Sequence, residues 1–199
     1  EYLKFTLQIP GRHIAMNALA VLLSVKLLDG DLQKAARALE TMQGIAGRGK
    51  KEYLDIGDAK NPVTLIDESY NASPAAMNAA FKVLALIDPG RGGRRIAVLG
   101  DMLELGRQAP KLHADLALPL KTADVQLVYT CGTLMKNLYD KLPEEQRSAH
   151  KKDSVELAKI VPEVLTPGDV VMVKGSNGSK MGVVVEALRG LPEKLTGKR

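Results

Sequence analysis

Beyond residue 94, short apolar segments alternate with segments of helical periodicity, and this alternation limits the fold more than any other feature. Apolar strands are predicted at 95–99, 125–130 and 169–173, with a weaker one near Ala149. Helices are predicted between and after them, at 110–120, 133–141, 154–161 and 179–188. Strands separated by helices are typical of a parallel, doubly wound sheet. The sequence therefore predicts an α/β fold.

The first 87 residues contain fewer strands. The predicted elements there are a strand at 5–9, a helix at 13–28, a helix capped by Asp31 and reaching about residue 39, strands at 51–56 and 63–66, and a helix from Pro74 to about residue 87. We expect this part to close a domain that begins upstream. A glycine-rich charged hinge follows at 88–94, so a domain boundary is predicted between residues 87 and 88.

Composition narrows the class of protein. No run of about 18 apolar residues occurs, so no membrane span is expected. The net charge is +5, but the basic residues are scattered without aromatic neighbours, which disfavours nucleic acid. Small anions such as nucleotides, or simply a solvated basic surface, remain open. The single Cys131 fits a reducing, cytoplasmic setting. The start at Glu1 has no initiator Met or signal pattern, which suggests the middle of a longer protein.

An acidic loop, residues 100–106, directly follows the predicted strand at 95–99. Ligands of open α/β sheets bind beyond the carboxyl ends of the strands. Asp101 and Glu104 repel phosphate and suit an ammonium group, a metal ion or hydrogen-bond donors, so this loop is a candidate substrate site. His113 in the next helix is a candidate catalytic residue, although a histidine on a helix surface or in a core is more common.

Polar residues also follow two other predicted strands. After Ile66, Asp67 and Glu68 can accept hydrogen bonds from ribose hydroxyls, or they serve the chemistry of a turn that also holds Tyr70 and Asn71.

The last predicted strand ends at Lys174, Gly175 and Ser176, whose charge and amides suit a carboxylate; a plain glycine-rich turn is the alternative. No Walker A phosphate loop occurs in the sequence.

Two features of the first part suit a nucleotide. His13 and Asn17 lie one helical turn apart, and an Asn amide matches the edge of adenine. Helix capping by His13 and a solvated Asn17 are the alternative. Arg48, between two glycines, suits a phosphate or ribose, though alone it is only a basic turn.

Four segments resemble, in order, the Mur ligase family, and together they cover essentially the whole chain: 11–13 with 17–20, 67–74, 99–106 and 173–176. The second and third resemble the branch that adds D-alanyl-D-alanine. The resemblance implies that residues 1–87 close a central ATPase domain and that residues 88–199 form a C-terminal Rossmann-like domain binding the incoming dipeptide. The family's N-terminal domain, phosphate loop and carbamylated lysine have no counterpart here, so the chain is expected to be a fragment that is inactive alone.

The resemblance also implies roles. ATP would phosphorylate the carboxylate of UDP-N-acetylmuramoyl-tripeptide, and the amine of D-Ala-D-Ala would attack the acyl phosphate. ATP and Mg²⁺ are the expected cofactors, held mainly outside this chain, and a monomer is expected. The implied nucleotide contacts are Asn17 (adenine), Arg48 (ribose or phosphate) and Glu68 (ribose, where the family usually has Asp). His13, Asp67, Tyr70 and Asn71 are predicted as further nucleotide contacts from their positions in the sequence. From the residues themselves we predict that Asp101, with Glu104 second, contacts the ammonium of the dipeptide. Lys174 and the amides of Gly175 and Ser176 are predicted to hold its carboxylate.

Two departures from the family weaken specific contacts, because Ile14 stands where members usually have Asn and Asn177 stands where they often have Arg. Two other functions remain open. One is a non-catalytic module that binds ligands or docks on partners, which is the stronger interpretation for this chain alone. The other is a different ligase of the superfamily, such as folylpolyglutamate synthase, against which segments 67–74 and 99–106 argue.

Overall fold

The computed structural model describes residues 3–192, apart from the side chain of His13. The chain divides into two compact units, on either side of the bond between Ile45 and Ala46. No helix in the described part is long and apolar enough to cross a membrane.

The first unit is built on two helices, α1 (Arg12–Leu27) and α2 (Leu32–Glu40). The predicted cap of α2 is confirmed, because the Asp31 carboxylate accepts a hydrogen bond from the Lys34 N–H at 2.9 Å. The small core of this unit is formed by Ala18, Leu22, Ala36 and Leu39.

The strand predicted at 5–9 is wrong. The described residues of this unit contain no strand for it to pair with, and Phe5 and Leu7 pack instead against the helices. An alternating pattern therefore reflects contact with helices in this case.

The second unit is built on a six-stranded sheet in the order β1-β2-β6-β3-β4-β5. Its strands are β1 (Lys50–Leu54), β2 (Val63–Glu68), β3 (Arg95–Gly100), β4 (Leu127–Cys131), β5 (Arg147–Lys151) and β6 (Val170–Lys174). All neighbours pair in parallel except β1, which runs antiparallel to β2 at one edge. The predicted α/β sheet is confirmed.

Six α-helices of this unit are described: α3 (Pro74–Ala85), α4 (Ala109–Ala114), α5 (Ala117–Thr122), α6 (Lys136–Lys141), α7 (Ser154–Val164) and α8 (Gly182–Arg189). The single helix predicted at 110–120 is wrong, since α4 and α5 are separate. Pro119 has no N–H to donate to the carbonyl of Asp115, which lies between them.

Helices cover both faces of the sheet, as a doubly wound fold requires. Successive residues of β6 alternate between two buried clusters: Val170 and Met172 belong to one, and Val171 and Val173 to the other. The first cluster contains buried residues of α3, including Phe81, and of α5 and α6. The second cluster contains buried residues of α7 and α8. The helices thus leave uncovered the end of the sheet at which the parallel strands have their carboxyl ends.

The hinge predicted at 88–94 lies inside the second unit. The Gly90 N–H donates to the carbonyl of Gly168 at 2.8 Å, and the Arg94 guanidinium lies 2.7 Å from the buried Asp169 carboxylate. Because β1 and β2 belong to the same sheet as β3–β6, the division of the chain falls earlier than the predicted boundary. The assignment of the part before this division to a central ATPase domain stays a prediction.

Candidate functional site at the carboxyl edge of the sheet

Three loops with polar residues meet where neighbouring strands end. The β2 loop (69–73) follows β2, the acidic loop (100–106) begins at the end of β3, and the β6 loop (175–181) follows β6. Because β6 lies between β2 and β3, all three loops emerge side by side. The prediction that these segments lie at strand ends is confirmed, and the sheet order adds that they are neighbours.

Ser176 joins the three loops. Its buried hydroxyl accepts a hydrogen bond from the Leu103 N–H at 2.9 Å and donates to the Ala72 carbonyl at 3.3 Å. Its own N–H donates to the Asp101 carbonyl at 3.0 Å. The Ser176 amide was predicted to bind the dipeptide carboxylate, but this N–H donates within the protein, and the hydroxyl also donates and accepts there.

Gly175, predicted beside Ser176 as a carboxylate contact, lies where backbones crowd together. A Cβ at this residue would lie 2.5 Å from the Ser179 hydroxyl and 3.2 Å from the Gly100 Cα. The glycine therefore permits the ends of β3 and β6 to approach each other closely.

Lys174 is turned inward. Its side chain is 2% exposed, and its ammonium lies 3.0 Å from the Glu68 carboxylate and 2.9 Å from the Asn71 carbonyl. The predicted role of Lys174 in holding a dipeptide carboxylate is corrected, because the ammonium is buried between protein acceptors. Its charge instead fastens the β2 loop to the end of β6, and it occupies one oxygen of the proposed ribose contact Glu68.

The two carboxylates of the acidic loop differ in their surroundings. The buried Asp101 carboxylate accepts hydrogen bonds from the N–H groups of Met135, at 2.7 Å, and Leu134, at 3.3 Å, just before α6. Glu104, by contrast, is exposed and adopts a φ of +63°. Asp101 thus caps the segment that leads into α6, and Glu104 presents its carboxylate to solvent.

His113 is not placed to exchange a proton with a substrate, so its predicted catalytic role is corrected. The side chain is 0% exposed, its Nδ1 lies 2.7 Å from the Ala109 carbonyl, and its Nε2 lies 2.9 Å from the Met102 nitrogen. Since a carbonyl only accepts and an amide N–H only donates, Nδ1 carries the hydrogen and Nε2 accepts. Both ring nitrogens are therefore committed within the protein.

A cleft of about 440 Å³ lies beside the three loops. Its lining includes Tyr70, Asn177 and Lys180. The Arg48 guanidinium lies 4.2 Å from the centroid of the half-exposed Tyr70 ring, a cation–π contact next to this cleft. The cleft combines an aromatic ring with the exposed Lys180, and its exposed acid, Glu186, is paired with Arg189, so an anionic ligand that has a planar part suits it.

The floor of the cleft is organised by Asp67. Its buried carboxylate accepts hydrogen bonds from the Gly47 N–H at 2.9 Å, the Ser69 hydroxyl at 2.6 Å and the Arg189 guanidinium at 3.1 Å. Gly47 has a φ of +75°, and a Cβ there would lie 2.9 Å from that of Tyr70. Asp67, predicted to contact ribose, thus holds the turn that places Arg48.

Arg189 and Lys180 were not identified from the sequence. Arg189 also pairs with Glu52 at 2.6 Å, and this hydrogen-bonded pairing raises the pKa of Arg189 above its usual range. The only signal for it was a basic residue at the end of the last predicted helix. Lys180 follows the glycine-rich turn after β6 with a φ of +52°, and nothing in its spacing indicated that it lines a cleft.

In the first unit, Asn17 is exposed on α1 and lines an apolar pocket of about 140 Å³ with Ile14, Val21 and Met42. The His13 side chain lies outside the described part. Adenine contacts by these two residues stay predictions. Cys131 is buried, and burial raises the pKa of its thiol to about 12, as expected of a structural residue. Among residues 3–192, no group of three or more His, Cys, Asp or Glu could hold a metal ion.

Comparison with known proteins assigns the chain to a family. Residues 54–177 match the family described as "Mur ligase, glutamate ligase domain". The chain is 29% identical over 186 residues to the UDP-N-acetylmuramoyl-tripeptide–D-alanyl-D-alanine ligase of Rickettsia prowazekii, a match that covers 94% of this chain and 39% of that relative. It is 31% identical over 197 residues to the protein of the same name from Mycobacterium tuberculosis, covering 89% of this chain and 38% of the relative.

Solved structures agree on the fold. The MurF ligase from Thermotoga maritima in complex with ADP superposes with a TM-score of 0.77 at 23% identity, covering 94% of this chain and 40% of that one. MurF from Acinetobacter baumannii gives a TM-score of 0.76 at 25% identity, covering 93% and 39%. The chain thus spans about two fifths of the length of these relatives. Because the matched domain spans more than half of it, the chain belongs to the Mur ligase family.

Proposed function

We propose that this protein takes part in the ATP-dependent addition of D-alanyl-D-alanine to UDP-N-acetylmuramoyl-tripeptide in peptidoglycan precursor synthesis, through an acyl-phosphate intermediate. The observation that carries the proposal is the meeting of the β2, acidic and β6 loops at one sheet edge, joined by Ser176. These loops contain the segments that resemble the D-alanyl-D-alanine-adding branch, and relatives from several bacteria have that name. The same names do not favour folylpolyglutamate synthase.

The incoming dipeptide needs an acceptor for its ammonium group and donors for its carboxylate. Of the two acids in the acidic loop, we assign the ammonium to the exposed Glu104, because the Asp101 carboxylate caps the segment before α6. For the carboxylate we assign Lys180 in place of the buried Lys174. The acidic and β6 loops touch, since a Cβ at Gly178 would lie 2.6 Å from the Leu103 side chain.

The nucleotide is assigned to the cleft beside Tyr70, with Arg48 facing the phosphates or ribose. As a separate proposal for the first unit, Asn17 and His13 contact adenine. ATP supplies the phosphoryl group that activates the tripeptide carboxylate. The described residues offer no set of metal ligands, so we assign no Mg²⁺ contact to them. We also propose a cytoplasmic monomer, in which the buried Cys131 stays a free thiol.

Calorimetry on the 199-residue chain tests the assignment, with D-Ala-D-Ala and ADP titrated separately. Glu104→Gln removes the charge but keeps the shape, so we expect dipeptide affinity to fall about tenfold, the usual effect of losing a charge-assisted hydrogen bond. ADP affinity should not change. The matched control is Glu163→Gln, which changes an exposed acid on α7, away from the acidic loop, and should alter neither affinity.

Two outcomes would contradict the proposal. A chain that binds ADP but no dipeptide would favour a nucleotide-binding module instead. Equal weakening of both ligands by Glu104→Gln would show that Glu104 does not recognise the amine.

A further inference from the structure

The acidic loop is held at three consecutive residues by three different parts of the fold. The Asp101 carboxylate is bound by amides that precede α6, the Met102 N–H is bound by His113 of α4, and the Leu103 N–H is bound by Ser176 of the β6 loop. Glu104 comes next and is exposed. The loop backbone is therefore fixed up to Leu103, the residue before Glu104. The role inferred for His113 rests on the proposed contact between Glu104 and the amine.

His113 is fully buried, and its hydrogen bonds explain why a histidine is needed. An apolar side chain could fill the same space, but it would leave the Met102 N–H without an acceptor. Because Met102 is buried, water could not replace the lost hydrogen bond. The Ala109 carbonyl fixes the ring so that Nε2 faces the loop as an acceptor. The ring thus acts on the backbone of the loop and on no group outside the protein.

The conformation of Glu104 depends on this support. Its φ of +63° lies in the left-handed region, which a side chain other than glycine seldom adopts without help. The next residue with a positive φ is Gly106, at +58°. Release of the Met102 N–H would let the loop relax toward commoner backbone angles and move the Glu104 carboxylate.

We propose that His113 is a positioning residue: by accepting the Met102 N–H it holds the acidic loop in the conformation that presents the Glu104 carboxylate to the ammonium group of the incoming dipeptide. It exchanges no proton with the substrate.

Two matched substitutions separate this role from simple packing. In His113→Gln, the amide oxygen can reach the position of Nε2 and still accept from Met102. In His113→Asn, the shorter amide can still donate to Ala109, but no atom reaches Met102. Both variants remove the ring and stay neutral, so a role in packing alone predicts similar behaviour for the two.

The first measurement is hydrogen exchange of the Met102 and Leu103 amides by NMR on the 199-residue chain. We expect His113→Asn to speed exchange at Met102 about tenfold or more, since an unpaired amide loses its local protection, and His113→Gln to stay near wild type. The second measurement is calorimetry with D-Ala-D-Ala. His113→Asn should weaken binding about tenfold, and His113→Gln should change it little, with ADP affinity unchanged in both.

The double variant His113→Asn with Glu104→Gln supplies an internal check. If His113 acts through Glu104, its replacement should cost no further dipeptide affinity once the Glu104 charge is gone. Should His113→Asn fail to fold, Ser176→Ala tests the support of the loop in its place. It removes the acceptor of the neighbouring Leu103 N–H, so exchange at Leu103 should rise and dipeptide affinity should fall.

Different results overturn different parts. Unchanged Met102 exchange in His113→Asn overturns the positioning role, whatever the dipeptide does. Equal loss of affinity in the Gln and Asn variants also overturns it, in favour of packing. A wild-type chain that binds no dipeptide overturns the proposed function and with it the presentation of Glu104, while the exchange data still decide whether His113 holds the loop.

Discussion

Gly132 shows how one missing side chain makes room for a cap. Its φ is +99°, and a Cβ there would lie 2.4 Å from the carboxyl carbon of Asp101. Gly132→Ala should therefore add a steric clash to the backbone strain and lower the free energy of unfolding by about 1–3 kcal/mol. Urea denaturation measures this loss.

A second glycine separates the two contributions. Gly57 has a similar φ of +112° but no atom within 4 Å of its would-be Cβ, so Gly57→Ala reports the backbone cost alone. If both variants lose the same stability, the Asp101 cap does not depend on the space at Gly132.

His150 should make stability depend on pH. Burial, and to a lesser extent the charge of Lys136, lower the pKa of His150, whose Nδ1 lies 2.9 Å from the Thr130 hydroxyl. The unfolded chain then binds a proton near the ordinary value of 6.5, before the folded chain does. The free energy of unfolding should therefore fall as the pH drops below that value.

His150→Gln keeps a neutral polar side chain but cannot titrate. Denaturation at about pH 7.5 and about pH 5.5 should show a smaller loss of stability in this variant than in wild type. An identical loss in the two proteins would assign the pH dependence to other groups.

At the level of elements, the ion pair between Lys174 and Glu68 joins the ends of β2 and β6, where the two residues are register partners. The Lys174 ammonium is almost fully buried, whereas the Glu68 side chain is 22% exposed. Lys174→Met should cost about 1–3 kcal/mol, less than for a wholly buried pair, because water reaches the Glu68 carboxylate that remains.

The exposed pair of Lys136 and Asp140 on α6 is the control. Lys136→Met should change the free energy of unfolding by no more than about 0.5 kcal/mol, since surface pairs contribute little. Equal effects of the two lysine substitutions, measured by thermal and urea denaturation, would contradict the role of Lys174 in joining the strands.

The same elements show what the sequence can predict. Periodicity located all six strands, β1–β6, and both helices of the first unit. Capping located the starts of helices, because its signals are local: Asp31 and Pro74 begin helices through groups within one turn. Strand ends followed by polar residues located all three loops of the site.

Contacts between distant residues could not be predicted. Lys174 and Glu68 are 106 positions apart, and only the insertion of β6 between β2 and β3 buries the lysine. His113 looks identical in sequence whether it faces a substrate or the Met102 N–H. The segment at 88–94 resembled a linker because it is rich in glycine and charge. The hydrogen bonds that hold it in the second unit go to the distant residues Gly168 and Asp169, which the local sequence does not reveal.

For the whole molecule, the two units should differ in independence. Both large buried clusters lie after Ile45, whereas the first unit buries only a four-residue core among its described residues. We expect residues 46–199 to fold alone and unfold cooperatively, because they keep the complete sheet. Circular dichroism and urea denaturation of this shortened chain test the expectation.

A chain of residues 88–199 is the informative comparison. It lacks β1 and β2, so β6 loses one of its two neighbours and half of its pairing. We expect it to aggregate or to stay largely unfolded. Equal folding of the two shortened chains would place the boundary between residues 87 and 88 after all.

The order of strands in the sheet also determines when the sheet can form during synthesis of the chain. The strand at its centre, β6, is the last of the described strands to leave the ribosome, and it pairs with strands synthesised long before it. Until then the nascent chain can hold only β1 with β2 and β3 with β4 and β5, two partial sheets with apolar edges facing each other. A message cut short before β6 would therefore yield an aggregation-prone chain and not a smaller working protein.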